Sequence, residues 1–485
     1  MGRAYRFSSA RGGVVFSSIE FLFFFLPAAI AAYFLTPRPA RNYTLLAASL
    51  LFYTWGGGGL VFILLASIGL NYFFGLLVDR GAHRDRRSLL VAGVILSVLS
   101  NLAILGWFKY ANFAVDQLNG FGGLVGLEPR PWTEIILPIG ISFYTFQSMS
   151  YVLDIARKEA RALRNPLDFA VYVAMFPQLV AGPIVRYHLV AEALRQRITR
   201  WDDFVEGAQR FGLGLFKKVV IADSLGQIAQ AVFDTPAHDL STPAAWLGVV
   251  AYTLQIYFDF SAYSDMAIGL GRIFGFRFPE NFDRPYSALT VTNFWRRWHM
   301  TLTNWFRDYV YIPLGGNRAG AGRTYLNLWI VFLLTGLWHG AAWTFLIWGV
   351  YHGALLVLER LLGWRDVAPS PWRRALTLFL VMMGWVIFRA DGFDQALGMY
   401  RTLFAFEFGA TAFAVSDALT TKNVLILALA ALVFFLPRSF NGRRLLESRT
   451  RWADACAGAL MLGGVPLALL WVITGAFSAF IYFQF

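Results

Sequence analysis

One cysteine, Cys456, stands in 485 residues, which excludes an intrachain disulfide framework and a cysteine-based metal site. Charge is equally scarce. Asp, Glu, Lys and Arg make up 15% of the chain, against about 25% in soluble domains, too little to clothe a soluble protein of this length. No GxSxG elbow, phosphate-binding P-loop or GxGxxG fingerprint occurs. The six histidines show no HxxxH or HxH spacing, so no metal site is expected. No internal repeat or low-complexity segment is found.

What is present is apolar. Hydrophobic residues reach 57%, with 46 Phe, 20 Tyr and 17 Trp, and the mean hydropathy is +0.53. This composition fits lipid-facing helices with aromatic belts at the interfaces. The net charge is +13. In a soluble protein such a balance would suggest nucleic acid, but here the basic residues cluster between apolar runs, as at Arg80, Arg84, Arg86 and Arg87. That pattern belongs to loops facing anionic lipid, so the expected partner is the bilayer and not nucleic acid.

Crossing the hydrocarbon core takes about 20 apolar residues. Runs of this kind lie at 14–36, 44–55 with 60–78 (divided by Gly56 to Gly59), 89–108, 135–153, 167–185, 211–232, 244–270, 324–358, 375–388, 424–436 and 455–485. The expected fold is all-α and polytopic, with roughly 10–12 crossings plus re-entrant or interfacial helices. A retained first helix is preferred over a cleaved signal peptide. Residues 1–13 are basic and differ in character from the rest of the chain, which suggests an upstream start before a single membrane domain, 14–485. Residues 324–358 contain no Lys, Arg, Asp or Glu. As one helix they would run about 52 Å at 1.5 Å per residue, so a break is expected at Gly336 or Gly340.

Ionisable residues at membrane depth are functional candidates because their burial is costly. His339, between Trp338 and Gly340 in that uncharged stretch, is the strongest. Its neutral imidazole suits a general base; the plainer alternative is a histidine hydrogen-bonded between helices. His299 follows Trp298 in a charged segment read as an interfacial helix. On a helical face with Trp295, Leu302 and Phe306 it would point away from Arg296 and Arg297, as a second site histidine or a core one. Asp259, Ser261 and Asp265 would line a polar path or pair with Arg296, Arg297 or Arg307. His352 is secondary.

Several strings carry a family resemblance: Leu137-Pro-Ile-Gly-Ile-Ser-Phe-Tyr-Thr-Phe-Gln147, Phe176-Pro-Gln-Leu-Val-Ala-Gly-Pro-Ile184, Tyr257-Phe-Asp-Phe-Ser-Ala-Tyr-Ser-Asp265, Asn281-Phe-Asp-Arg-Pro-Tyr286, Phe294-Trp-Arg-Arg-Trp-His299, Tyr311-Ile-Pro-Leu-Gly-Gly-Asn-Arg318 and Gly336-Leu-Trp-His-Gly340. Together they resemble the membrane-bound O-acyltransferase family, in its bacterial branch of the alginate O-acetyltransferase type, with motifs densest over about 135–360. The resemblance implies that His339 is the catalytic histidine and His299 the second, with Trp338, Trp298, Asn281, Asp259, Ser261 and Asp265 lining the site. It implies a ring of helices around a thinned core with a tunnel. No cofactor would be bound. An acetyl group would pass from a cytoplasmic thioester, acetyl-CoA or an acylated carrier, to an extracytoplasmic polysaccharide by way of periplasmic acetyl-transfer proteins, in the bacterial inner membrane. Tyr482 resembles a tyrosine that carries the acyl group in related systems; otherwise it is an interfacial anchor. Two rivals stay open: transfer of another group, such as D-alanine to teichoic acid, and transport without chemistry, against which stands the lack of related halves.

Overall fold

A backbone in lipid must satisfy its own hydrogen bonds, which confines spanning segments to helices or closed barrels. This chain uses helices. The computed structural model describes residues 16–364, 368–410, 412–436, 448, 450–475 and 480, and no strand occurs among them. The basic extension 1–13 and Tyr482 lie outside the described residues.

Five described helical stretches are long and apolar enough to cross a membrane: Arg38–His83, Arg87–Leu124, Trp343–Leu361, Pro371–Arg389 and Arg451–Ile473. The first divides at Gly58, whose φ of +54° turns the chain between Arg41–Gly57 and Val61–His83, where the glycine run predicted a division. Phe24, Phe62, Trp107, Leu124 and Leu462 stand exposed on the outer helices, as lipid-facing residues do. These are five among the described residues, against the roughly 10–12 crossings expected, and two further long helices fall outside the set. Thr242–Ile273 and Gly320–His339 are long enough but carry polar residues inward, Asp259 and Asp265 on one and Asn327 on the other. The run 167–185 is no single span: it breaks at Met175 between Pro166–Ala174 and Phe176–Leu179, with Pro177 in the second piece. The run 89–108 extends instead to Leu124.

Polar residues tie the outer helices together. Asn71 accepts hydrogen bonds from Ser97 Oγ at 2.9 Å and Asn101 Nδ2 at 2.7 Å, joining Val61–His83 to Arg87–Leu124 as interhelical amides do in membranes.

The interior has two apolar clusters. One gathers Phe16, Phe52, Phe176, Tyr263 and Trp338. The other gathers Phe294, Trp298, Phe345, Trp348, Trp385 and Phe388. His299 and His339 lie where the two meet, each against a ring of both clusters.

Candidate active site

The helix Gly320–His339 stops because Gly340 is extended, at φ −171° and ψ 162°, and the chain re-enters a helix at Trp343–Leu361. The predicted break is therefore at the second glycine. The two helices close tightly. A Cβ on Gly336 would lie 2.5 Å from the Phe345 carbonyl oxygen, and one on Gly349 2.4 Å from that of Phe332. Only a hydrogen side chain permits such an approach of backbones. His339 thus sits at the apex of a helical hairpin, buried at 4% exposure. Its ring meets Trp338 and Trp348 at 5.0 Å and Phe388 at 5.1 Å, all edge-on.

A helix end leaves its last carbonyls without intrahelical partners. Here donors come from Arg87–Leu124. The Tyr110 hydroxyl donates to the Leu337 carbonyl, and Lys109 Nζ donates to those of Trp338 and His339, the latter at 3.0 Å. Lys109 was missed in the sequence, although it is the only charged residue between Arg87 and Asp116.

His299 departs from the sequence reading. It is not on a continuous helix but in the left-handed region, at φ 44° and ψ 52°, between Val291–Trp295 and Met300–Phe306. The facing of Trp295, Leu302 and Phe306 deduced from an unbroken helix therefore fails. Asn281, wholly buried, holds the turn. Its carbonyl accepts from Met300 N–H at 2.9 Å, and its Oδ1 lies 3.1 Å from His299 Nδ1. Its Nδ2 donates to Ser264 Oγ at 3.0 Å. The His299 ring packs edge-on against Phe260 at 4.7 Å and against Trp338 at 5.7 Å. One indole, that of Trp338, therefore touches both histidines.

The carboxylates have ion-pair roles. Asp259 pairs with Lys218 at 2.7 Å, and Lys218 also binds Asp223 at 2.7 Å. Asp265 pairs with Arg210 at 2.7 Å and Lys217 at 2.8 Å. Arg296, Arg297 and Arg307, the partners considered from sequence, are not in these pairs. Ser261 donates back to the Phe258 carbonyl at 3.4 Å, within its own helix. Trp298 packs on Trp385 at 4.9 Å and Phe282 at 5.1 Å. His352 is fully buried behind Trp348, 5.0 Å from that ring. Phe480, two residues before Tyr482, is buried 5.0 Å from the Tyr263 ring, with Lys218 Nζ 4.6 Å over its face.

Two cavities lie elsewhere, one beside Leu289, Glu359 and Leu380, the other beside Phe233, Gln395 and Met399. Three metal-capable side chains also converge: ligand atoms of Asp154, Glu159 and His188 lie within 4.8 Å of one another. Histidine spacing could not reveal this, because the one histidine, His188, comes from a different helix than Asp154 and the turn that follows it at Glu159. Asp154 there is already bonded to Tyr309, the His188 backbone and the His188 ring.

Two buried histidines from separate segments thus pack on one indole beside a broken helix. The chain belongs to the membrane-bound O-acyltransferase family, whose model matches residues 141–390, a range that holds both histidines, Asn281 and Trp338. It is a multi-pass membrane acyltransferase. The chain is 44% identical to the probable alginate O-acetylase AlgI of Pseudomonas putida, over 97% of this chain and all of that relative. It is 49% identical to the probable alginate O-acetylase AlgI of Azotobacter vinelandii, over 81% of this chain and 78% of the relative. A peptidoglycan O-acetyltransferase of Helicobacter pylori is 36% identical over 80% and 79% of the two chains.

Proposed function

We propose that this enzyme O-acetylates an extracytoplasmic polysaccharide, alginate or a similar polymer, with His339 as its general base. One observation carries the reading: His339 and His299, forty residues apart, both pack on Trp338, at ring separations of 5.0 and 5.7 Å. The names of the relatives from Azotobacter vinelandii and Pseudomonas putida support acetyl as the group and alginate as the polymer.

The donor in this reading is a cytoplasmic thioester, acetyl-CoA or an acylated carrier. His339 takes the proton of the acceptor hydroxyl while its oxygen attacks the thioester carbonyl. A C–O bond forms, the C–S bond breaks, and the proton passes to the departing thiolate. Base catalysis of this kind contributes about 10²–10⁴ in rate. Holding both reactants in one dry passage supplies orientation, and His299 orients the donor or shares the proton. The aromatic rings around His339 must part as the substrates enter. Tyr482 is the first acceptor, handing the acetyl group to periplasmic transfer proteins from the inner membrane.

Inner-membrane vesicles supplied with radiolabelled acetyl thioester test this. The wild type forms labelled ester, whereas His339→Ala, present at equal protein level, forms none. Ester formation by that variant refutes the base. Label that moves without becoming an ester points to a transporter, and ester formed only from a D-alanyl thioester points to the other transferase reading. Full polymer acetylation by Tyr482→Phe removes the carrier step alone.

A further inference from the structure

We propose that Lys109 is a positioning residue for His339, an inference that rests on the reading of His339 as the base. His339 is the last residue of its helix, so its imidazole is held by a turn whose carbonyls have no intrahelical partners. At membrane depth water does not satisfy them. Lys109 Nζ reaches the carbonyls of both Trp338 and His339, and also lies 3.4 Å from Ser142 Oγ on Ile141–Ala156. Its ammonium stands 5.9 Å from the Trp338 ring centroid, and Trp338 is the indole that joins the two histidines. One buried lysine thus links three helices at the residue before the hairpin turns. A cation there also opposes the partial negative charge of a helix C-terminus. Burying an ammonium at this depth is costly, and these contacts offset the cost. The arrangement fixes where the imidazole stands; it gives Lys109 no bond to substrate.

The test compares Lys109→Met, which keeps the length but no donor, with Lys109→Gln, which keeps two N–H donors without charge. Turnover is measured in vesicles with radiolabelled acetyl thioester and normalised to folded enzyme by gel filtration. Displacing a catalytic group by an ångström costs about 10²-fold. We expect Lys109→Met to lose kcat on that order with the thioester KM unchanged, and Lys109→Gln to recover most of it. Wild-type kcat in Lys109→Met, or a raised KM at unchanged kcat, overturns the assignment. If Lys109→Met yields no folded protein, Lys109→Arg and Lys109→Gln decide. Reduced kcat at constant KM that is milder in the variant with the better-retained carbonyl contacts supports positioning, and altered KM alone overturns it. Activity in His339→Ala would remove the base reading itself. An inactive His339→Ala beside a fully active Lys109→Met would remove only the role of Lys109.

Discussion

Oδ1 of Asn281 lies 3.1 Å from Nδ1 of His299 while also accepting the Thr301 hydroxyl at 2.9 Å. Because that oxygen can only accept, the imidazole proton sits on Nδ1 and the lone pair is left on Nε2. The amide orientation follows from the same bonds, since Thr301 N–H also points at Oδ1 and Nδ2 serves Ser264. Asn281→Ala removes one acceptor from several buried donors, so the protein should lose about 1–3 kcal/mol of stability. Acetyl transfer should fall with it as the tautomer is released. Thermal unfolding in detergent and the vesicle assay check both, and unchanged values in each would contradict the role of Asn281.

Lys218 stands between two buried carboxylates, Asp223 and Asp259. Breaking a buried pair costs about 3–5 kcal/mol because the remaining charge is left uncompensated. Lys218→Met is expected to unfold at markedly lower temperature. Adding Asp259→Asn should return part of the loss. If the double variant is no more stable than the single one, Asp259 is not the counterion that matters.

Gly349→Ala would place a methyl group where the backbone oxygen of Phe332 stands, 2.4 Å away. Backbone gives way less readily than a side chain, so the hairpin should loosen at a cost of about 1–3 kcal/mol. The unfolding midpoint of the purified variant measures this, and an unchanged midpoint would refute the close packing.

Asp308 supplies a pH signature away from the spanning helices. Burial pushes its carboxyl up, but Arg307 and Arg186 outweigh burial and hold it below the usual carboxylate range. A lowered folded value means stability that is fully present above about pH 4, the unfolded value, and lost as pH falls through the lower folded one. Midpoints recorded on acidification should therefore drop, and less steeply in Asp308→Asn. Identical curves for the two proteins would count against the pairing.

How much of this was legible depends on the distance over which each interaction acts. The break near His339 could be read because 35 consecutive uncharged residues, 324–358, overrun a bilayer and the two glycines near their middle, Gly336 and Gly340, offered a stop. The role of Lys109 could not: an apolar run ending at Phe108 seemed complete, and its partners lie some 230 residues away. His299 was misplaced because its left-handed turn is enforced by Asn281, 18 residues earlier, and local periodicity carries no trace of such a partner. The carboxylates were expected to be paired, as burial demands. Which cations they meet is settled by the packing of Trp201–Phe216 and its continuation against Thr242–Ile273, and composition cannot choose among many arginines.

The stretch from Arg323 to His339 works as a ruler. Sixteen steps at 1.5 Å set the imidazole about 24 Å along the axis from the arginine, so its place along the helix is fixed, counted in residues. One alanine inserted between them would advance the ring by a single step and swing it about 100° off its aromatic cage. Point substitutions on the lipid-facing side leave that count untouched, whereas any insertion or deletion resets it.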